Sequence, residues 1–357
     1  MENKTPTVLF IVTFGAGLGH LAGEIGIAVK LRELSKETNI IFYTTSPATD
    51  ALYSEGFYYY YIPSKLVIPK SISISAWERL YEHQLYDIVL LHKPQVIIYD
   101  GPYPEVSLIR ILVEHPWMKG IWMKREGDRK DIRSVSPFER FFDLLIVPKE
   151  LGEKNREITK KCKVISPIIY ESTSKMDPSI KELFPEYKKG KHRIWYVQLG
   201  AGIINRIEDI LQSVLLTLLE DSDNYILLGE SPVSSGKTQL EYSSHRCKRL
   251  RSFPNSIYFN QIDYAISAAG YNTFYELVYY GVPAIFIPNR FTQKDDQVAR
   301  AKSAEVMGTG LVHEEGQQLS QVIERLYKNK ERCKECCEHY HFQNGAREAV
   351  ELILQYT

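Results

Sequence analysis

Hydrophobic and polar positions follow one another along the chain in a repeated order of short apolar run, loop and amphipathic segment. In the first half, the apolar runs at 8–14, 40–44, 58–62 and 96–99 have the length of strands, and 21–35, 49–54 and 76–91 have the apolar spacing of helices. The runs at 108–113, 120–123 and 144–147 continue the series. Repeated units of this kind predict a mainly parallel sheet with helices on both faces.

A polar segment with two prolines, 170–191, interrupts this order, which then starts again. Strands are predicted at 194–199, 225–228, 264–267 and 284–287, and helices at 207–219, 272–280, 296–307, 319–337 and 345–355, with a further apolar run at 257–259. At 357 residues the chain exceeds what one hydrophobic core usually supports. We predict an α/β protein of two doubly wound, Rossmann-like domains that face a cleft. The domains are 1–170 and 192–340, joined by a linker at 171–191, and the last helix, within 341–357, packs back on the first domain.

Composition narrows the classes of partner and compartment. Lys plus Arg equals Asp plus Glu at 44 each, so no net charge attracts nucleic acid. Five cysteines, an odd number in a long chain, argue against a disulfide framework and for a reducing compartment. The first apolar run is too short for a signal peptide, and no run approaches the ~18 residues of a spanning helix. We therefore expect a cytoplasmic protein without a transmembrane segment, and contact with a membrane surface stays open.

Two glycine-rich loops each follow the first strand of a predicted domain. Gly15, Gly17 and Gly19 precede His20, and Gly200, Ala201 and Gly202 precede Asn205. Glycines there permit a tight turn and the close approach of a ligand to the backbone N–H groups of a helix start. A dinucleotide fingerprint would need a different glycine spacing and an acidic residue after the second strand, where the chain has Thr44 and Thr45. Nicotinamide binding is therefore disfavoured, and a loop that is only a tight turn stays an alternative.

The segment 265–297 carries the strongest functional pattern. A strand ends at Ser267, a turn follows at Gly270, and Asn272 or Thr273 is placed to cap a helix. The dipole and N–H groups of that helix start favour an anionic diphosphate. Glu276 lies about one turn into the helix, within reach of ribose hydroxyls. At the start of a later helix, Asp296 and Gln297 offer a carboxylate and an amide to sugar hydroxyls.

This segment resembles the donor-binding region of GT-B glycosyltransferases. Gly270, Tyr271, Asn272 and Thr273 with Glu276 are similar to the glycine–aromatic–Asn–Ser…Glu signature of the UDP-glycosyltransferases, and the region is also similar to that of the bacterial peptidoglycan N-acetylglucosaminyltransferases. The resemblance implies that the glycine turn and the amides after it hold the diphosphate, that Glu276 holds the ribose, and that Asp296 and Gln297 contact the donor sugar. The loops at 15–20 and 200–205 resemble those that open the two domains of these enzymes.

One departure concerns the diphosphate. Many UDP-glycosyltransferases carry a histidine two residues before the turn glycine, where this chain has Ala268. We therefore expect the phosphates to be held by backbone amides, with Asn205 or a nearby cation. The departure also leaves the base of the nucleotide open, with uracil as the first choice.

Two residues are candidates for proton transfer. An imidazole with a pKa near neutrality suits a general base, and His20 follows the first glycine loop. In the resembling families a histidine at this place is the usual candidate base and is often oriented by an aspartate at a later strand end, which is where Asp100 lies. The alternatives are that His20 only caps a helix and that Asp100 is only a turn carboxylate.

These features predict an inverting, metal-independent glycosyltransferase. It moves a sugar from a nucleotide-diphosphate sugar, with a UDP-sugar as first choice, to an acceptor hydroxyl held by the first domain. The nucleotide-sugar is a substrate, so no cofactor is expected. The acceptor stays open between a glycan, a lipid-linked molecule and a small molecule. A sugar-nucleotide epimerase of the same fold and a catalytically inactive binding subunit are the alternative functions.

Three other groups of residues are given structural interpretations in preference to functional ones. The cysteines and histidines of 333–341 would extend about 12 Å along a helix, too far for one tetrahedral metal ion. The basic run 245–251 is predicted to be a solvated loop, with a border of the donor cleft as the alternative. The tyrosines of 58–61 are predicted to form a strand, with an acceptor platform as the alternative.

Overall fold

A computed structural model of the chain describes residues 5–13, 18–124, 136–150, 161–172, 179–200, 208–230, 244–251, 253–290 and 295–357. Contacts between residues divide it into two units: Met1–Thr173 together with Gln343–Thr357, and Ser174–Phe342. Each unit is built on one parallel sheet. The predicted fold class, two doubly wound α/β domains, is confirmed.

The first unit carries a seven-stranded sheet in the order β3-β2-β1-β4-β5-β6-β7. Its strands are β1 (Thr7–Val12), β2 (Asn39–Thr44), β3 (Tyr58–Tyr61), β4 (Val96–Asp100), β5 (Lys119–Met123), β6 (Leu144–Pro148) and β7 (Cys162–Ile165). Its first helices are α1 (Gly19–Leu34), α2 (Thr49–Ser54), α3 (Ile74–His92) and α4 (Val106–Glu114). The strand order reverses between β1 and β4, and ligands in such sheets bind at the carboxyl ends of the strands at this reversal.

The core of the first unit lies between the sheet and its helices. Trp77, Tyr81 and Leu85 of α3 pack against buried residues of β1, β2 and β4. The spacing of these residues is the reason the segment forms an amphipathic helix. Ser73 accepts a hydrogen bond from the backbone N–H of Ala76 and so caps its start.

The second unit carries a six-stranded sheet in the order β10-β9-β8-β11-β12-β13. Its strands are β8 (Arg193–Gln198), β9 (Asn224–Gly229), β10 (Cys247–Leu250), β11 (Tyr264–Ser267), β12 (Ala284–Phe286) and β13 (Gly310–Val312). Its helices are α5 (Ile180–Leu183), α6 (Glu208–Leu219), α7 (Tyr271–Tyr279), α8 (Gln297–Met307), α9 (Leu319–Lys328) and α10 (Lys330–His339). The reversal of strand order lies between β8 and β11, in the same relation as in the first unit.

The last helix of the chain, α11 (Gly345–Ile353), belongs to the first unit and packs against α1. Asn344 fixes its start: the side-chain oxygen accepts hydrogen bonds from the N–H groups of Ile169 and Ala346, at 3.0 Å each, and its nitrogen donates to the Ile169 carbonyl at 2.8 Å. The stretch 179–184, which the sequence placed in a linker, contains α5, and Phe184 is buried against Tyr225 of β9.

Several predicted elements differ from the structure. The apolar run 257–259 is part of a 3-10 segment, Asn255–Gln261, and the helix predicted at 319–337 is interrupted at Asn329, which ends α9 and precedes α10. The basic run forms edge strand β10 instead of a loop, and its backbone pairs in parallel with β9. Just before the strand, Arg246 donates to the carbonyls of Leu219, Asp221 and Asn224. Strands β7 and β13 had no counterpart in the sequence prediction.

No helix within the described residues is long and apolar enough to cross a membrane.

Candidate active site

His20 and Asp100 meet at the strand-order reversal of the first unit. Asp100 is the last residue of β4, in register with Val12 of β1, and His20 is the second residue of α1. Nδ1 of His20 lies 2.6 Å from Oδ1 of Asp100, whose side chain is 1% exposed, whereas that of His20 is 21% exposed. A carboxylate beside Nδ1 favours the tautomer with the proton there, leaves Nε2 to accept a proton, and stabilises the imidazolium that results. The structure thus brings together the predicted pair, and its catalytic role stays a prediction.

The surroundings hold this pair in place. The Tyr99 hydroxyl donates to the Tyr103 carbonyl at 2.6 Å, and the indole N–H of Trp122 donates to the Gly101 carbonyl at 3.0 Å, which fixes the turn after Asp100. Leu18 is the N-cap of α1, and His20 lies inside the helix as its second residue. The alternative that His20 is a helix cap is therefore wrong. Gly19 is the first helical residue, while Gly15 and Gly17 lie outside the described residues.

The donor-site residues predicted from the sequence gather at the corresponding reversal of the second unit, between β8 and β11. Gln198, the last residue of β8, accepts a hydrogen bond at its carbonyl from the Ala268 N–H (3.1 Å) and at its side chain from the Thr273 hydroxyl (2.8 Å). Gly200 follows with φ +98°, a conformation that only glycine adopts readily. The end of β8 and the start of α7 are thus joined side by side. Ala201, Gly202 and Asn205 lie outside the described residues.

The start of α7 differs from its prediction in two ways. Its N-cap is Gly270, and neither Asn272 nor Thr273 caps it, because the helix begins at Tyr271 and the Thr273 hydroxyl bonds Gln198. The left-handed residue of the turn is Ala269, with φ +59°, whereas Gly270 has φ −60°. A Cβ added at Gly270 would meet no described atom within 4 Å. Glycine is therefore required there neither by the backbone angle nor by the described neighbours, and among the described residues it leaves room beside the helix start.

Glu276 is half-buried on α7, and its carboxyl group has an unusual environment. Burial raises its pKa from 4.5 to about 7. No described residue donates a hydrogen bond to the carboxyl group or forms an ion pair with it. An acceptor without a donor in a poorly hydrated place is suited to a ligand that supplies hydroxyl groups.

At the start of α8, polar side chains form hydrogen bonds within the protein. Asp296 is the N-cap of α8 and accepts from the Ala299 N–H at 2.9 Å. The side chain of Gln297 accepts from the Asn289 N–H and donates to Asp295, at 3.0 Å each. The predicted contact of Asp296 and Gln297 with a donor sugar stays a prediction.

Arg300 was not recognised from the sequence. It is 4% exposed on α8, and its Nη1 donates to the Ala269 carbonyl and to the Asp295 carboxylate, at 2.8 Å each. Its guanidinium carbon lies 5.3 Å from the ring centroid of Tyr271. The sequence feature that could have identified it is an arginine five residues after Asp295, on the inward-facing side of a short predicted helix.

As for metal ions, the described residues contain no group of three or more His, Cys, Asp or Glu side chains able to bind one.

Comparisons with known proteins show which families and enzymes the chain is similar to. Residues 211–353 match the glycosyltransferase family 28 C-terminal domain. A UDP-N-acetylglucosamine–N-acetylmuramyl-(pentapeptide) pyrophosphoryl-undecaprenol N-acetylglucosamine transferase of Aquifex aeolicus is 32% identical over 160 residues, 42% of this chain and 43% of that relative. The enzyme of the same name from Clostridium perfringens strain SM101 is 24% identical over 96% of this chain and 97% of the relative.

Solved structures share the fold. MurG of Acinetobacter baumannii superposes with a TM-score of 0.61 at 16% identity, over 98% of this chain and 99% of that one. The glycotransferase of kitacinnamycin gives 0.65 at 13% identity, over 99% of both chains. The resemblance to GT-B glycosyltransferases that the sequence predicted is confirmed, and so is the enzyme class: the chain is a glycosyltransferase of this fold.

Proposed function

We propose that the chain transfers a sugar, with inversion and without a metal ion, from a UDP-sugar to the hydroxyl group of a lipid-linked acceptor. The observation that carries the proposal is the arrangement of α7. Its N-terminus leaves room at Gly270, and the carboxyl group of Glu276 lies on the same short helix without a donor from the described residues. Both residues fall in the part of the chain that matches the family 28 domain.

The diphosphate would be held at the start of α7. A helix N-terminus attracts negative charge through its dipole and backbone N–H groups, and such fixed dipoles also stabilise a leaving group as its charge develops. Arg300, directly behind the turn, adds a buried positive charge that Asp295 partly offsets. These groups could bind and stabilise a diphosphate leaving group without a metal ion.

Proton transfer would be the task of His20. Nε2 takes the proton of the acceptor hydroxyl as its oxygen bonds to the anomeric carbon of the sugar, and the bond from that carbon to the diphosphate breaks with its electron pair on the diphosphate. A single displacement of this kind inverts the anomeric carbon. Asp100 stabilises the imidazolium.

The proposed substrates follow the relatives that align over nearly the whole chain. Their names specify UDP-N-acetylglucosamine as donor and a pyrophosphoryl-undecaprenol compound as acceptor. The first unit exposes large apolar side chains suited to a lipid-linked acceptor. Leu66 and Val67 are 70% exposed, beside Lys65 and Lys70 in the segment before α3, and Tyr58 is exposed on edge strand β3. The reaction would take place in the cytoplasm.

The test is a transfer assay with UDP-N-acetylglucosamine and a polyprenyl-pyrophosphoryl acceptor, with chelator present. Acceptor-dependent release of UDP and a product of inverted configuration are expected. Interconversion of the donor sugar without acceptor would indicate an epimerase instead, and tight donor binding without turnover would indicate a binding subunit. The His20→Ala variant should bind donor as the wild type does and lose turnover.

A further inference from the structure

Arg300 joins three parts of the candidate donor site through one buried guanidinium group. Nη1 donates both to the Ala269 carbonyl in the turn before α7 and to the Asp295 carboxylate before α8, and the group lies against the ring of Tyr271, the first residue of α7. Because the side chain is 4% exposed, water competes little with these contacts. We propose that Arg300 is a positioning residue that holds the turn at 268–270, here called the donor turn, in the conformation that binds the nucleotide-sugar. This inference rests on the proposed function.

The turn itself needs such a support. Ala269 adopts φ +59° although it carries a Cβ, and because residues other than glycine rarely adopt this left-handed conformation, its surroundings must stabilise it. The residue is fully buried, and its carbonyl is the acceptor for Arg300. A charge-assisted hydrogen bond at that carbonyl favours the one peptide orientation from which α7 can start at Tyr271.

The same arginine connects the turn to the segment predicted to contact the donor sugar. Asp295, its ion-pair partner, also accepts a hydrogen bond from Gln297, whose side-chain oxygen accepts from the Asn289 N–H. A continuous set of hydrogen bonds therefore runs from Ala269 through Arg300 and Asp295 to Gln297. Moving the guanidinium group would disturb the proposed diphosphate and sugar contacts together.

Lysine should replace arginine only in part in this role. Its ammonium group is a compact point charge on a flexible stem, whereas the rigid guanidinium plane holds Nη1 within reach of both acceptors and keeps its carbon 5.3 Å from the ring centroid of Tyr271. Arg300→Lys should therefore restore only part of the donor affinity that Arg300→Met loses. A residue that merely contributes charge to a diphosphate would be replaced well by lysine.

A matched control is available in the same unit. Arg193, at the amino end of β8, pairs with Asp221, donates to Asn224 and lies 4.9 Å from the ring centroid of Tyr327. It has the same kinds of contact at the sheet edge opposite the donor residues. Arg193→Met should lower stability without changing the donor affinity of the folded protein.

The experiment measures UDP affinity by calorimetry, KM and kcat with UDP-N-acetylglucosamine, and backbone hydrogen exchange of 268–273 in the protein without ligand. For Arg300→Met we expect faster exchange in 268–273, UDP binding weakened about tenfold or more, and a rise in donor KM that exceeds the fall in kcat, with partial recovery in Arg300→Lys. Unchanged exchange, or UDP affinity equal to that of the wild type, would overturn the inference. A wild-type protein that binds no UDP would instead contradict the proposed function, while the exchange comparison would still decide whether Arg300 holds the turn.

Discussion

The carboxyl group of Glu276 offers a test in which stability and function change in opposite directions. Its pKa is raised from 4.5 to about 7 by burial. Between these two values the folded chain keeps a proton that the unfolded chain has lost, so the free energy of unfolding falls as the pH rises through this window. Above about pH 7 the folded protein must hold a poorly hydrated charge.

Replacing Glu276 by glutamine removes this penalty and keeps the shape of the side chain. The shift corresponds to about 3 kcal/mol, which is an upper limit because the residue is only half-buried. At pH 8 we expect Glu276→Gln to be more stable than the wild type by up to this amount, and the difference should shrink towards pH 5. UDP should bind the variant about fivefold or more weakly, because ribose hydroxyls lose a charged acceptor.

The assay is urea unfolding of wild type and variant at pH 5, 6, 7 and 8, followed by calorimetric titration with UDP. Glu305→Gln, which replaces an exposed carboxylate on α8 of the same unit, is the control and should show neither effect. A stability difference between wild type and Glu276→Gln that does not change from pH 5 to pH 8, or one that grows towards low pH, would refute the reasoning about burial. Stabilisation together with unchanged UDP affinity would refute the ribose assignment.

Three further predictions concern the same groups. Gly270→Ala should cost at most about 1 kcal/mol of stability, because the glycine has no positive φ and no described atom close to its Cβ position, yet it should weaken UDP binding. Equal losses in stability and in UDP affinity would point to a purely structural glycine. Asp100→Asn should lower kcat at least about a hundredfold with little change in donor affinity, and an unchanged kcat would remove Asp100 from the mechanism. The affinity for UDP-N-acetylglucosamine, whose phosphates do not titrate near neutrality, should fall as the pH drops below about 7 and Glu276 takes up a proton, and calorimetry should show no such fall in Glu276→Gln.

The order of strands and helices was predictable because hydrophobic periodicity reports burial directly. The segments predicted around α1, α3, α7 and β8 lie within a few residues of the observed elements. The contact of His20 with Asp100 was expected from the resemblance to glycosyltransferases, and the structure places both residues at the reversal between β1 and β4. Strand β10 was missed because a run of arginines and lysine lacks an apolar pattern. It is a strand through its backbone pairing with β9, a contact between residues about twenty positions apart that the local pattern does not show.

The conformation of the donor turn was harder to predict from the sequence, because it depends on contacts between residues far apart in the chain. A glycine next to a turn suggests a left-handed backbone, yet the structure gives that conformation to Ala269 and leaves Gly270 extended. The hydroxyl of Thr273 suggested a cap, but its partner, Gln198, is 75 positions away. The helical position of Arg300 could be predicted, but its contact with the Ala269 carbonyl depends on the fold.

The most direct test of a donor site at the start of α7 is hydrogen exchange of the intact chain with and without UDP, in the presence of chelator. We expect slower exchange in 268–276 when UDP is bound, less protection with other nucleoside diphosphates, and loss of the effect in Gly270→Ala. Unchanged exchange in 268–276 at saturating UDP, or protection confined to other parts of the chain, would contradict it.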